Sequence, residues 1–169
     1  EFYSLKNNQN QSLATVTAGG MMVQKSVFNK YQGYNEVNGQ RIPLTDSELE
    51  GAIIDSALFS ELNYDFSTIE LIGTSVVNDE KVYEIKVTDN KTQYYSIESG
   101  LKVKEIESRE IEGNQLVIET TINDYEEVDG VLIPSELNQV TPALPIPGGI
   151  TIKASKIKLD VKTSDSDFN

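Results

Sequence analysis

Val77-Asn78-Asp79-Glu80-Lys81-Val82-Tyr83-Glu84-Ile85-Lys86-Val87 decides how the rest of the chain is read. Asn78-Asp79 is a pair that tolerates positive φ, which a tight two-residue turn demands. The residues after it alternate, so that Tyr83, Ile85 and Val87 share one face of a strand and Val82, Glu84 and Lys86 the other. A turn followed by alternation predicts a β-hairpin. The same signal recurs outward in both directions, at Asn38-Gly39, Asp89-Asn90, Gly113-Asn114 and Asp129-Gly130. Leu116, Ile118, Thr120 and Ile122 alternate with Val117, Glu119, Thr121 and Asn123, which predicts an antiparallel meander with one face buried and one wet.

One segment departs from this pattern. From Thr45 to about Leu62, Leu49, Ala52, Ile53, Ala57 and Leu62 fall at three- and four-residue intervals, the spacing of a helix. Thr45 and Glu48 have the spacing of a capping box, and Leu44 stands where it can staple onto Leu49. Ile54, Leu58 and Phe59 widen the apolar stripe, so the helix is expected to sink into a concavity of the sheet. A decapeptide pattern also repeats: Tyr34 to Pro43 and Tyr125 to Pro134 share Tyr-x-Glu-Val-[Asn/Asp]-Gly-x-x-Ile-Pro. Both copies read as tight hairpins whose proline ends the second strand or lies at an edge. Gly19-Gly20 and Gly148-Gly149 belong to no phosphate-loop pattern and read as bulges or corners. The stretch from Thr141 to Gly149 holds three of the five prolines and reads as a loop with unusually apolar residues, Ala143, Leu144 and Ile146. The polar tail from Thr163 to Asn169 is expected to fray, unless Phe168 tucks back.

Composition narrows the chemistry. The 169 residues suit a single domain, which at this size hides roughly 70% of the surface of the unfolded chain. Fourteen Lys and Arg stand against 27 Asp and Glu, a net charge of −13, which repels nucleic acid and anionic headgroups. With no His and no Cys, this chain assembles no Ser-His-Asp triad, no thiol nucleophile and no structural zinc site. The acidic pairs Glu105/Glu107, Glu126-Glu127 and Asp165/Asp167 read as solvated faces rather than acid–base machinery, and no cofactor or metal is implied. No apolar run approaches the ~20 residues that span a bilayer. The start at Glu1-Phe2-Tyr3, without Met and already strand-like, reads as a segment of a larger protein, N-terminally truncated.

The order of these phrases resembles the LolA/LolB-like superfamily of periplasmic lipoprotein carriers. The resemblance is carried by Val77 to Val87, by Tyr94-Tyr95 followed by Ser99-Gly100-Leu101-Lys102-Val103-Lys104, and by Asp124 to Pro134. It implies a mainly β (α+β) fold: an open antiparallel half-barrel, a strongly curved sheet with one or more helices covering its concave face. It further implies a single domain over residues 1–169, a periplasmic or cell-envelope location, and a non-catalytic module that holds a lipid, lipidated peptide or other apolar ligand. The residues expected to line the concavity are Met22, Phe28, Tyr31, Phe59, Leu62, Phe66, Tyr95, Leu144 and Ile146. The arginine that carriers place inside the cavity has no match, since Arg41 and Arg109 stand beside turns or on a charged strand. The segment from Gly20 to Gly39 also looks similar to a variant of this domain at the C-terminal end of insulinase/pitrilysin-type zinc peptidases. That alternative implies a scaffolding role beside a catalytic domain encoded upstream.

Overall fold

A computed structural model describes residues 1–111, 114–142 and 146–169 of the chain. It divides into two compact units. Unit 1 comprises Glu1–Tyr64 with Val161–Asn169, and unit 2 comprises Asp65–Asp160.

Unit 1 is built on a five-stranded antiparallel sheet in sequence order: β1 (Phe2–Lys6), β2 (Gln11–Ala18), β3 (Met21–Asn29), β4 (Gln32–Val37) and β5 (Gln40–Pro43). Gly19-Gly20 is a turn rather than a bulge: both residues have positive φ and join β2 to β3. The bulge lies next to it, where the β2–β3 register shifts after Val16. A helix, α1 (Asp46–Ser56), packs against β3. Its start is the one expected, with the Glu48 amide donating to the Thr45 hydroxyl and the Thr45 amide to the Glu48 carboxylate at 2.7 Å. Its end comes earlier than the apolar spacing implies. The Ser56 hydroxyl bonds back to the Ile53 carbonyl at 2.7 Å and Ala57 turns extended, after which Ser60–Asn63 form a separate 3-10 turn. Side chains then take over the terminal carbonyls. Lys6 Nζ donates to Asp55 and Ala57, and the Asn63 amide donates to Ile53 at 2.8 Å. Gly33 is required by this arrangement, because a Cβ there would stand 2.6 Å from both Leu44 Cδ1 and the Val27 carbonyl.

The opposite face of the sheet is closed by the C-terminus. Asp165–Phe168 form a 3-10 turn packed on β2 and β3, started by a capping box between Ser164 and Asp167. Phe168 is the largest fully buried side chain among the described residues, at 0% exposure. Gln11, also buried, donates to Asp165 at 3.0 Å and to Asn29 at 2.8 Å, and Lys25 donates to the Asn169 carbonyl. The tail therefore does not fray; one aromatic ring and a ring of side-chain hydrogen bonds hold it.

Unit 2 is a seven-stranded antiparallel meander: β6 (Glu70–Val77), β7 (Glu80–Thr88), β8 (Lys91–Ser96), β9 (Lys102–Ile111), β10 (Asn114–Val128), β11 (Val131–Val140) and β12 (Ile150–Lys153). Asn78-Asp79 and Asp129-Gly130 have positive φ at both positions, as does Asn38-Gly39 in unit 1, the geometry that matches strand twist. Asp89-Asn90 also turns the chain, but without positive φ, and the ladder compensates with an irregularity between Lys86 and Thr88. The Gly113-Asn114 turn falls at the edge of the described residues. The two copies of the repeat are the same hairpin, one in each unit: Tyr34 pairs with Pro43 and Val37 with Gln40, as Tyr125 pairs with Pro134 and Val128 with Val131. The first copy adds an ion pair, with Arg41 donating to Glu36 at 2.9 Å and lying 4.4 Å from the Tyr34 ring centre.

The mainly β (α+β) class holds, and neither sheet closes into a barrel among the described residues. No helix among them is long and apolar enough to cross a membrane.

Two outcomes follow for unit 1. Phe168→Ala should cost about 3–5 kcal/mol in chemical denaturation, the range for emptying a buried aromatic site, whereas a frayed tail would give no change. The Asp167 carboxyl is held below the usual carboxylate range, first by the Ser164 backbone amide and then by its hydroxyl. A depressed folded-state pKa contributes stability above the unfolded value, near 4, and that contribution is lost as pH falls through the folded value. Amide resonances of Ser164 and Asn169 should therefore report loosening of the turn below about pH 4, and Asp167→Asn should abolish that step.

Candidate functional site: one face of the seven-stranded sheet

Register places Tyr95, Gln93 and Lys91 of β8 on the same face as Glu105 and Glu107 of β9, and Leu116, Ile118, Thr120 and Ile122 of β10. Leu137 and Gln139 of β11 and Ile150 and Ile152 of β12 continue it. Alternation explains why these side chains point one way, and hydrogen bonding explains why several of them are polar. Gln93 donates to Glu105 at 2.6 Å, Tyr95 donates to the Gln93 carbonyl oxygen at 2.6 Å, and Lys102 reaches Glu105 at 3.4 Å. Lys91, 5% exposed, has its ammonium 4.0 Å from both Glu105 and Glu107. One row further, Gln139 donates to Thr120 at 3.3 Å, and Thr120 is the register partner of Glu105. A polar ladder thus runs across four strands, from Gln93 through Glu105 and Thr120 to Gln139.

Glu105 and Glu107 are accordingly not a solvated face. Their side chains are only 22% and 14% exposed and they surround a buried ammonium, because uncompensated burial of Lys91 would be prohibitive. This arrangement neutralises charge. Among the described residues no group of three or more His, Asp or Glu is placed to hold a metal ion.

Beside the ladder lies an apolar hollow of about 220 Å³, lined by Leu116, Ile118, Gln139, Thr141, Ile146, Gly149 and Ile150. Its outer wall is shaped by the turn Ile146-Pro147-Gly148-Gly149, closed by a 2.9 Å bond from the Gly149 amide to the Ile146 carbonyl. Pro147 and the positive φ of Gly148 are the residues such a turn calls for. Gly149 approaches β11 so closely that a Cβ would meet the Gln139 carbonyl at 2.4 Å. The Thr141 hydroxyl is buried and makes no hydrogen bond among the described residues. A larger depression of about 430 Å³ lies at the β6–β7 turn, but it is shallow and rimmed by Asp79, Glu80, Lys81 and Glu98. Its charged, open form suits water better than an apolar ligand.

The residues expected to form one lining are distributed over both units. In unit 1, Phe28 is core at 3% exposure, Phe59 is half-buried, and Met22, Tyr31 and Leu62 are exposed. In unit 2, Phe66 is exposed ahead of β6, Tyr95 belongs to the polar ladder, and Ile146 lines the hollow. Leu144 lies outside the described residues. The other lining residues of the hollow were not singled out by the sequence. Leu116 and Ile118 show only the ordinary alternation of a strand, and the Pro-Gly-Gly signal after Ile146 marks a turn without saying what it faces.

No family model and no curated protein matches the chain. Among solved structures it is similar to a LolA superfamily protein from Nitrosomonas europaea, at a TM-score of 0.63 and 15% identity, covering 99% of this chain and 80% of that one. It is also similar to a DUF1329 family protein from Desulfovibrio piger, at a TM-score of 0.58 and 16% identity, with the same coverages. The succession of open antiparallel strands with a helix on one sheet is therefore a LolA-like fold.

Proposed function

We propose that the chain is a non-catalytic binding module of an exported or envelope protein, working as one half-barrel domain that holds a lipid acyl chain or comparable apolar ligand. The observation that carries this reading is the hollow of about 220 Å³ with four large aliphatic walls, Leu116, Ile118, Ile146 and Ile150, on the face of an open sheet. The fold likeness supports it. The absence of His and Cys from the sequence weighs against nucleophilic and zinc chemistry within this chain. Within each unit taken by itself, exposed apolar side chains, Met22, Tyr31 and Leu62 in unit 1 and Phe66 in unit 2, are surface that a lipid or lipidated peptide would cover.

The reading is tested by native mass spectrometry of the protein as purified from a bacterial host, paired with uptake of a fluorescent acyl probe. The expected result is a bound mass in the lipid range that is lost on delipidation, followed by saturable probe uptake. A clean apo mass together with no uptake would overturn it.

A further inference from the structure

The turn that closes one face of unit 1 has the anatomy of a docked peptide. Its conformation is set from within: the Ser164 amide donates to the Asp167 carboxylate at 2.7 Å, the Asp167 amide to the Ser164 carbonyl at 3.0 Å, and the Asn169 side-chain amide to the Asp165 carbonyl at 3.0 Å. It adds no strand to the five-stranded sheet. Residues 154–163, which lead into it from β12, form no helix or strand.

The surface that receives it is laid out in three rows. Register aligns Leu5, Leu13, Val27 and Tyr34 across β1 to β4. Alternation puts Gln11 and Asn29 on the same face to one side of that row, and Thr15 and Lys25 to the other. Gln11 holds Asp165 at 3.0 Å and is itself oriented on Asn29, while Lys25 holds the Asn169 carbonyl. Phe168 stands between these two anchors, which leaves the apolar row for its fully buried ring. A carboxylate, an aromatic ring and a backbone carbonyl thus each meet a complementary row.

From this layout we infer that the β2–β3 face of unit 1 is a binding site for a short acidic peptide with a phenylalanine anchor, and that residues 164–169 occupy it as a separable ligand tethered in cis. A flexible tether supplies an effective concentration on the order of millimolar, so the tail holds the site against free peptides of the same affinity. The site belongs to unit 1 alone, and the inference does not depend on the acyl-binding reading of unit 2.

The test uses the full chain carrying Phe168→Ala, whose own tail lacks its anchor, in about 0.15 M salt to screen the acidic body. It is titrated with a synthetic peptide of residues 163–169 up to about 2 mM, the range in which the tether holds the tail. Saturable binding is expected, with the Leu13 and Val27 methyl resonances returning to their wild-type positions. A peptide with Phe168→Ala should not bind in that range, and one with Asp165→Ala should bind at least about tenfold more weakly, the loss of one hydrogen bond to a charged group. If the variant chain does not fold alone, recovery of the wild-type spectrum on adding the parent peptide supports the site, and failure to recover overturns it. A folded variant that ignores the parent peptide, or takes the Phe168→Ala peptide equally well, also overturns it, because the tail is then an inseparable part of the core.

Discussion

A two-residue turn with both φ angles positive permits one handedness of strand crossing, and with it one register. Among the described residues every hydrogen-bonded strand pair joins consecutive strands, so the faces of both sheets depend on these turns. A slip of one residue at Asp129-Gly130 would move Leu137 and Gln139 to the other side of β11 and dismantle the hollow. The asparagine, aspartate and glycine residues that allow positive φ at Gly19-Gly20, Asn38-Gly39, Asn78-Asp79 and Asp129-Gly130 therefore determine which side chains meet far from the turns themselves.

The polar ladder enforces the same register from within. In the native pairing Lys91 stands between two carboxylates and Gln93 satisfies one of them. Shifting β8 by one residue against β9 would leave a buried ammonium facing the wrong side chains, at a cost of several kcal/mol. The ladder need not add net stability to serve this purpose, since a buried ion pair often stabilises less than an apolar replacement. Its effect lies in the penalty attached to alternatives. The hollow profits because Ile118 pairs with Glu107 and Gln139 with Thr120, so the polar row and the apolar walls occupy adjacent levels of one face.

What was legible in the sequence was local. The turn dipeptides at Asn38, Asn78 and Asp129, the capping box at Thr45 and the equivalence of the two decapeptides depend on residues close together in the chain, and the structure has each of them. Val82 to Val87 do form a strand, but the expected face is not kept: Val82 is fully buried and Tyr83 is 41% exposed, and an irregularity after Lys86 buries Val87 as well. The end of α1 was obscured because Ala57 and Leu62 continue a helical spacing that the Ser56 back-bond interrupts. Phe168 lay in a polar context, and its burial depends on β2 and β3, remote in sequence. Glu105 and Glu107 looked like a wet face because their compensating partner, Lys91, is on another strand. The hollow was hidden for the same reason: its lining comes from β10, from the end of β11, and from the turn that precedes β12. Of the described residues nominated for a lining, Ile146 stands in it and the others do not.

Unit 1 is discontinuous: Val161–Asn169 complete a sheet whose strands end at Pro43, whereas unit 2 is one uninterrupted segment between them. On the ribosome this sets an order of assembly. All seven strands of unit 2 leave the exit tunnel before Phe168 does, so that sheet can finish while the five-stranded sheet still lacks the ring that closes one of its faces. Until then the strands of unit 1, made before those of unit 2, carry an open apolar face, and they have more to gain from a holding chaperone than the sheet that follows them.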